Sequence, residues 1–295
     1  MTEQSTQTAD VKTQTLDVPG ARLAYDIREP EGESSEPTLL MIGQPMDARG
    51  FVSLAGHFRD RRVVMYDPRG VSRSELADDS SKPTVEDRAE DLHRLIAALG
   101  EAPVEIFGSS GGALDGLALV AKHPNQVRTL VAHEPPAASL LPDRDAALAA
   151  AVSVQETYER DGFGPAMAKF MALSTLKGPI PADFADQPAP DPARFGMPTE
   201  DDGSRDDPLL SNMISGTHYE PDFDALRTVP TRVVVAAGTE SEGEMTYRAA
   251  LAVAERLGTE ATIFPSHHGG FLGGEFGYAG EPEAFAVKLR EVLSG

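Results

Sequence analysis

The sequence predicts an α/β fold, with a mostly parallel central sheet covered by helices on both faces and a helical cap inserted past the middle of the chain. Three observations predict it. Short, continuous apolar runs that suit strands covered on both faces recur along the chain. Helix-period patterns lie between most of them. One long stretch, residues 137–230, breaks that alternation with helix-like pieces and no convincing apolar strand.

Taken in order, TQTLDVPG and ARLAYDIRE read as two antiparallel starter strands. The polar start, MTEQSTQTADVKTQT, lacks the apolar core of a signal peptide, and residues 1–14 are expected to be a flexible terminus. The parallel strands are then PTLLMIG, RRVVMYD, VEIFG, VRTLVAH, TRVVVAAG and ATIFP. Between the second and third, Thr84 and Asp87 form a capping-box pattern. Val85, Leu92, Leu95, Ile96 and Leu99 make one helix face there, and Gly100 stops it. The last segment carries Phe285, Leu289, Val292 and Leu293 at helical spacing behind Pro282.

The break contains RDAALAAAVSVQETYER and GPAMAKFMALSTL, followed by a Pro- and Asp-rich run. A structureless loop of that length is disfavoured inside a compact domain. Residues 137–230 therefore read as a helical cap, and residues 15–136 and 231–295 as the α/β core.

Composition narrows the function. With 295 residues, 40% of them hydrophobic, the chain can bury a full core. No segment approaches the ~18 uninterrupted apolar residues of a membrane span. The absence of Cys excludes disulfides, thiolate metal sites and a cysteine nucleophile. A net charge of −21 opposes nucleic acid and anionic membranes as partners and favours a neutral or weakly charged small molecule. The expected location is cytoplasmic, and a homo-oligomer is left open. Adjacent histidines and scattered carboxylates lack metal-ligand spacing, so no metal is expected.

Between VEIF and the helix that follows stand five tiny residues, Gly108-Ser109-Ser110-Gly111-Gly112. They fit G-x-S-x-G, in which a serine on a strained strand-to-helix turn presents its hydroxyl at the top of a sheet. Ser110 is the middle letter, and Ser109 reads as a small residue packed beneath the turn. A serine hydroxyl needs a base to activate it and a third group to orient that base.

The order of these parts resembles the α/β-hydrolase superfamily over nearly the whole chain. YDPRGVSRSE resembles the D-x-R-G-x-G-x-S loop of many members, and PSHHGGF resembles their G-x-H-x-x-F turn. The resemblance implies Ser110 as nucleophile and His268 as base, because Phe271 stands three places after His268, with His267 as the alternative. It implies an oxyanion hole from the backbone N–H of Gly111 and of Gln44. The loop Ile42-Gly43-Gln44-Pro45 stands where relatives show His-Gly-x-Pro, so its histidine is lost.

The acid departs from the pattern. The usual G-x-x-D slot reads Gly238-Thr239-Glu240-Ser241, with serine where Asp is expected. Some members supply the acid one strand earlier, and Glu134, held by Pro135 and Pro136, stands there. Glu134 is favoured, then Glu240, then Glu242. Met167, Phe170 and Met171 are expected to line an acyl pocket or, equally, to fill the core under the cap.

The function implied is cofactor-independent serine hydrolysis of an ester, lactone or thioester of a small, largely apolar molecule. Carbon–carbon bond hydrolysis and perhydrolase chemistry run on the same triad, and a catalytically silent small-molecule binder is the alternative from another class.

Overall fold

The computed structural model describes residues 11–77 and 82–295. Its elements run β1 (Val11–Val18), β2 (Ala21–Arg28), β3 (Leu39–Gln44), α1 (Val52–Ala55), β4 (Val63–Tyr66), β5 (Glu75–Leu76) and α2 (Val85–Leu99). There follow β6 (Val104–Ser110), α3 (Gly111–Lys122), β7 (Val127–His133), α4 (Arg144–Asp161), α5 (Phe163–Ser174), α6 (Met213–Thr217) and α7 (Phe223–Leu226). The chain closes with β8 (Arg232–Gly238), α8 (Met245–Leu257), β9 (Thr262–Phe264) and α9 (Pro282–Ser294).

The strands form one sheet in the order β1-β2-β4-β3-β6-β7-β8-β9, with β5 paired to β2. The first two pairings, β1 with β2 and β2 with β4, are antiparallel. From β4 to β9 every pairing is parallel. The six apolar runs became the six parallel strands.

Alternation along each strand divides the core. Leu40, Ile42, Val64, Ile106, Leu130 and Val235 pack with α2, α3 and α8 on one face. Leu39, Met41, Val63, Phe107, Val131 and Ala236 pack with α1 and α9 on the other. Burying both faces explains why these strands are continuous apolar runs. The capping box forms as expected, with Thr84 and Asp87 exchanging side-chain and backbone hydrogen bonds and Gly100 closing α2 in the left-handed region.

One expectation shifts. Residues 1–10 lie outside the described residues, but Val11–Gln14, within the span expected to be flexible, belong to β1. β1 is exposed along most of its length, which removes the apolar signal by which a strand is recognised. The short β5, both of whose residues are exposed, also carries no such signal.

Between β7 and β8 the described chain is helix, turn and loop, without a strand. The Pro- and Asp-rich run is pinned back on the helices. Lys169 Nζ donates to the carbonyls of Ala185 and Gln187, and Asp207 N–H donates to the Tyr158 hydroxyl. Among the described residues no helix is long and apolar enough to cross a membrane.

Candidate active site

The site is assembled where β3, β6, β7 and β8 end side by side. Ser110 closes β6 with φ 55° and ψ −127°, a strained backbone for a residue with a side chain. Its small neighbours answer to steric contact. A Cβ on Gly112 would lie 2.5 Å from the Ile42 carbonyl oxygen, and one on Gly111 would lie 2.8 Å from that of Gln44. Only glycine lets α3 start this close to β3. Ser109 is buried beneath the turn, its Oγ 3.5 Å from His133 Nδ1.

In the parallel register Gln44 pairs with Ser110, so the end of β3 borders the serine. Gly111 is the first residue of α3, where backbone N–H groups have no intrahelical acceptor and the helix dipole is positive. The loop after Gln44 is braced from below: Asp67 Oδ1 accepts from Ala48 N–H, and its other oxygen binds Arg73. Arg69, two residues on from Asp67, pairs instead with buried Asp91 on α2. Asp115 on α3 pairs with buried Arg88. All three acids are structural.

Glu134 follows β7 with φ 48° and is fully buried. Its backbone N–H donates to the Ala236 carbonyl. Gly238 N–H donates to Oε1 at 2.8 Å, while Thr246 Oγ1 at 3.0 Å and His268 Nδ1 at 2.5 Å donate to Oε2. Burial disfavours the carboxylate, but these donors and the adjacent imidazoles outweigh it and hold its pKa far below the usual range.

His268 keeps 38% of its side chain exposed, and its Nδ1 is fixed on Glu134. Desolvation works against the imidazolium, yet the hydrogen bond and charge of Glu134, with a further contribution from Glu244, raise its pKa above the ordinary value. Its neighbour His267 has both ring nitrogens spent on the loop backbone. Nδ1 accepts from Gly269 N–H at 3.0 Å, and Nε2 donates to the Ala279 carbonyl at 3.1 Å.

Of the carboxylates weighed for the acid, only Glu134 reaches an imidazole among the described residues. Glu240 is exposed and accepts from Ser266 Oγ at 3.4 Å; Glu242 is exposed. Ser241, in the slot where an Asp was expected, is fully buried. Met167 and Phe170 pack half-buried against the core cluster beneath the inserted helices. Met171 instead meets Tyr278 of the loop after His268, whose hydroxyl lies 3.7 Å from its sulfur. Among the described residues no group of three or more His, Asp or Glu could hold a metal.

Two features escaped sequence reasoning. One is the pair of extra donors on Glu134, Gly238 and Thr246. The other is His133, whose ring is fully buried at 6.1 Å from that of His268, with the planes 29° apart. Burial presses the His133 pKa down to about 4, so it is neutral at physiological pH. Phe107, Phe264, Phe271 and Phe285 surround it.

Comparison with known proteins agrees with this architecture. A family model described as alpha/beta hydrolase fold matches residues 39–186. The uncharacterized hydrolase YraK of Bacillus subtilis (strain 168) is 33% identical over 271 residues, covering 87% of this chain and 89% of its own. The crystal structure of proline iminopeptidase from Mycobacterium smegmatis superposes with a TM-score of 0.61 at 19% identity, over 96% of this chain and 98% of that one. An esterase from Exiguobacterium antarcticum gives 0.64 at 17% identity, over 94% and 97%. At such identities the solved structures speak for the fold, while the family model and YraK reach the sequence itself; the chain belongs to the α/β hydrolase fold family and is a hydrolase.

Proposed function

We propose that the chain is a cofactor-independent serine hydrolase that cleaves an ester, lactone or thioester of a small, largely apolar molecule. Ser110 Oγ attacks the carbonyl carbon while His268 Nε2 takes its proton, and Glu134 holds Nδ1–H and stabilises the imidazolium. The tetrahedral oxyanion is received by the backbone N–H groups of Gly111 and Gln44. Collapse expels the alcohol or thiol, which leaves with the proton from His268. Water, deprotonated by the same imidazole, then releases the acid and restores Ser110.

The observation that carries this reading is the short Glu134–His268 hydrogen bond, made by a buried carboxylate at the end of β7, the strand next to the one that the strained serine of the elbow closes. Residues 137–230 act as a cap. Supporting this, Lys177 Nζ reaches the Glu240 carbonyl, and Gly178 N–H donates to the Gly243 carbonyl, both in the connection from β8 to α8. Met171 of α5 also meets Tyr278 of the loop after His268, a further contact between cap and core.

Purified protein should hydrolyse p-nitrophenyl esters of graded acyl length, and Ser110→Ala should lose on the order of 10⁶-fold in turnover, the scale of removing the nucleophile from a serine triad. Equal turnover by wild type and Ser110→Ala would exclude this reading.

A further inference from the structure

We propose that Thr246 is a positioning residue of this site, its hydroxyl fixing the Glu134 carboxylate against His268 Nδ1. The proposal rests on the assignment of Glu134 as the orienting acid. It concerns how that acid is held.

The last torsion of a glutamate joins an sp³ to an sp² carbon and is intrinsically broad, so the side chain itself does not fix its carboxylate plane. Here the plane is fixed by donors from separate parts of the chain. Gly238 N–H, at the end of β8, holds Oε1 at 2.8 Å. Thr246 Oγ1, on the first turn of α8, holds Oε2 at 3.0 Å. With Gly238 alone, the group could turn about one anchored oxygen and carry Oε2 away from the imidazole. Two anchors leave Oε2 where His268 Nδ1 meets it at 2.5 Å.

The threonine is committed to this contact. Thr157 and Thr217, inside other helices, turn their hydroxyls back onto the carbonyls of Ser153 and Met213, four residues earlier. Thr246 instead donates across 112 residues of sequence to a fully buried carboxylate. Its own turn is fixed too. Arg248, two residues on, is ion-paired with Asp143 and donates to the Gly178 carbonyl at 2.8 Å, which ties α8 to the inserted helices.

Removing the hydroxyl has two consequences. The carboxylate plane loosens, so the imidazole is held less firmly for proton transfer, which lowers kcat more than it raises KM. A carboxylate free to turn away from Nδ1 also supports the imidazolium less, so the raised His268 pKa falls back toward its ordinary value. The other ionisable groups around His268 are Glu244 at the start of α8, with Lys177 of the cap beside it, His267 on the same loop, and neutral His133 below. Thr246→Val touches none of them.

The test compares Thr246→Val, Thr246→Ser and Glu134→Gln with wild type, using full-length protein, a p-nitrophenyl ester and a pH series. Thr246→Ala replaces the valine variant if the latter does not fold. The expected result is a fall in kcat on the order of tenfold, the scale of one hydrogen bond to a charged group, with KM changed less. The acidic limb of kcat/KM should move to lower pH, and Thr246→Ser should restore both. Wild-type kcat and pH profile in Thr246→Val, with turnover lost in Glu134→Gln, would overturn the proposal alone. A loss that serine fails to restore would overturn it in favour of a packing role. Wild-type turnover in both Thr246→Val and Glu134→Gln would overturn it together with the assignment of the acid.

Discussion

Replacing Glu134 by glutamine changes one atom and probes the whole arrangement of the site. In the native site Oε1 accepts from Gly238 N–H, and Oε2 accepts from Thr246 and from His268 Nδ1–H. A carboxamide has one acceptor oxygen and one donor NH₂. If its oxygen stays on Gly238, the NH₂ faces His268, and Nδ1 must become the acceptor. The ring proton then sits on Nε2, which can no longer take the proton of Ser110. If the amide turns over, Gly238 N–H confronts an NH₂ group in a fully buried site and is left unpaired. Either way the productive tautomer is disfavoured, and the buried anion that stabilised imidazolium is gone. The loss in kcat should approach the ~10⁴ seen when an orienting acid becomes its amide, or about 5.5 kcal/mol at 1.36 kcal/mol per decade. Initial rates on a p-nitrophenyl ester, with circular dichroism to verify folding, measure it alongside Glu240→Gln. Near wild-type turnover in Glu134→Gln, with the loss falling on Glu240→Gln, would refute this reasoning.

As the proposed base, His268 acts in its neutral form, and its pKa is raised, so kcat/KM should fall as pH drops through a value above the ordinary histidine pKa of ~6.5; a midpoint well below that would contradict the Glu134 contact. Glu244→Gln removes a charge that favours the imidazolium, so the same limb should move to lower pH. Gly112→Ala drives a methyl to 2.5 Å from a backbone carbonyl that cannot yield, and should lose about 1–3 kcal/mol or more in urea unfolding; an unchanged midpoint would contradict the close approach of α3 to β3. Arg88→Met strands Asp115, fully buried and with its pKa already raised by burial to about 6, and should lose about 3–5 kcal/mol, largely recovered by adding Asp115→Leu; no loss in the single variant would contradict the buried pair.

The parallel strands were legible because a strand covered on both faces must be apolar throughout, and each such run proved to be a parallel strand, even β9 at the sheet edge, where Ile263 is exposed. β1 was partly misjudged for the opposite reason: an exposed edge strand such as VKTQTLDV is built from residues that look like a polar tail. The elbow was legible because a tight approach admits only tiny residues, and five stand together. Glu134 stood out through its place after a strand and its two following prolines, whereas its contact with His268, which Glu240 does not make, joins residues 134 apart and is visible only in the fold. Thr246 could not be read at all, since its partner lies 112 residues away and a lone threonine in a helix carries no signal. The Arg69–Asp91 and Arg88–Asp115 pairs join separate elements in the same way. In the loop after β4, Asp67 pairs with Arg73, six residues on.

The central claim, that Ser110 is the nucleophile activated by His268, is tested most directly by covalent labelling. A fluorophosphonate reacts with an activated serine and leaves a stable adduct that peptide mass spectrometry can place on one residue. The account predicts a single adduct on Ser110, lost in Ser110→Ala and much slowed in His268→Ala. An adduct on Ser109, or no adduct on protein that turns over esters, would contradict it.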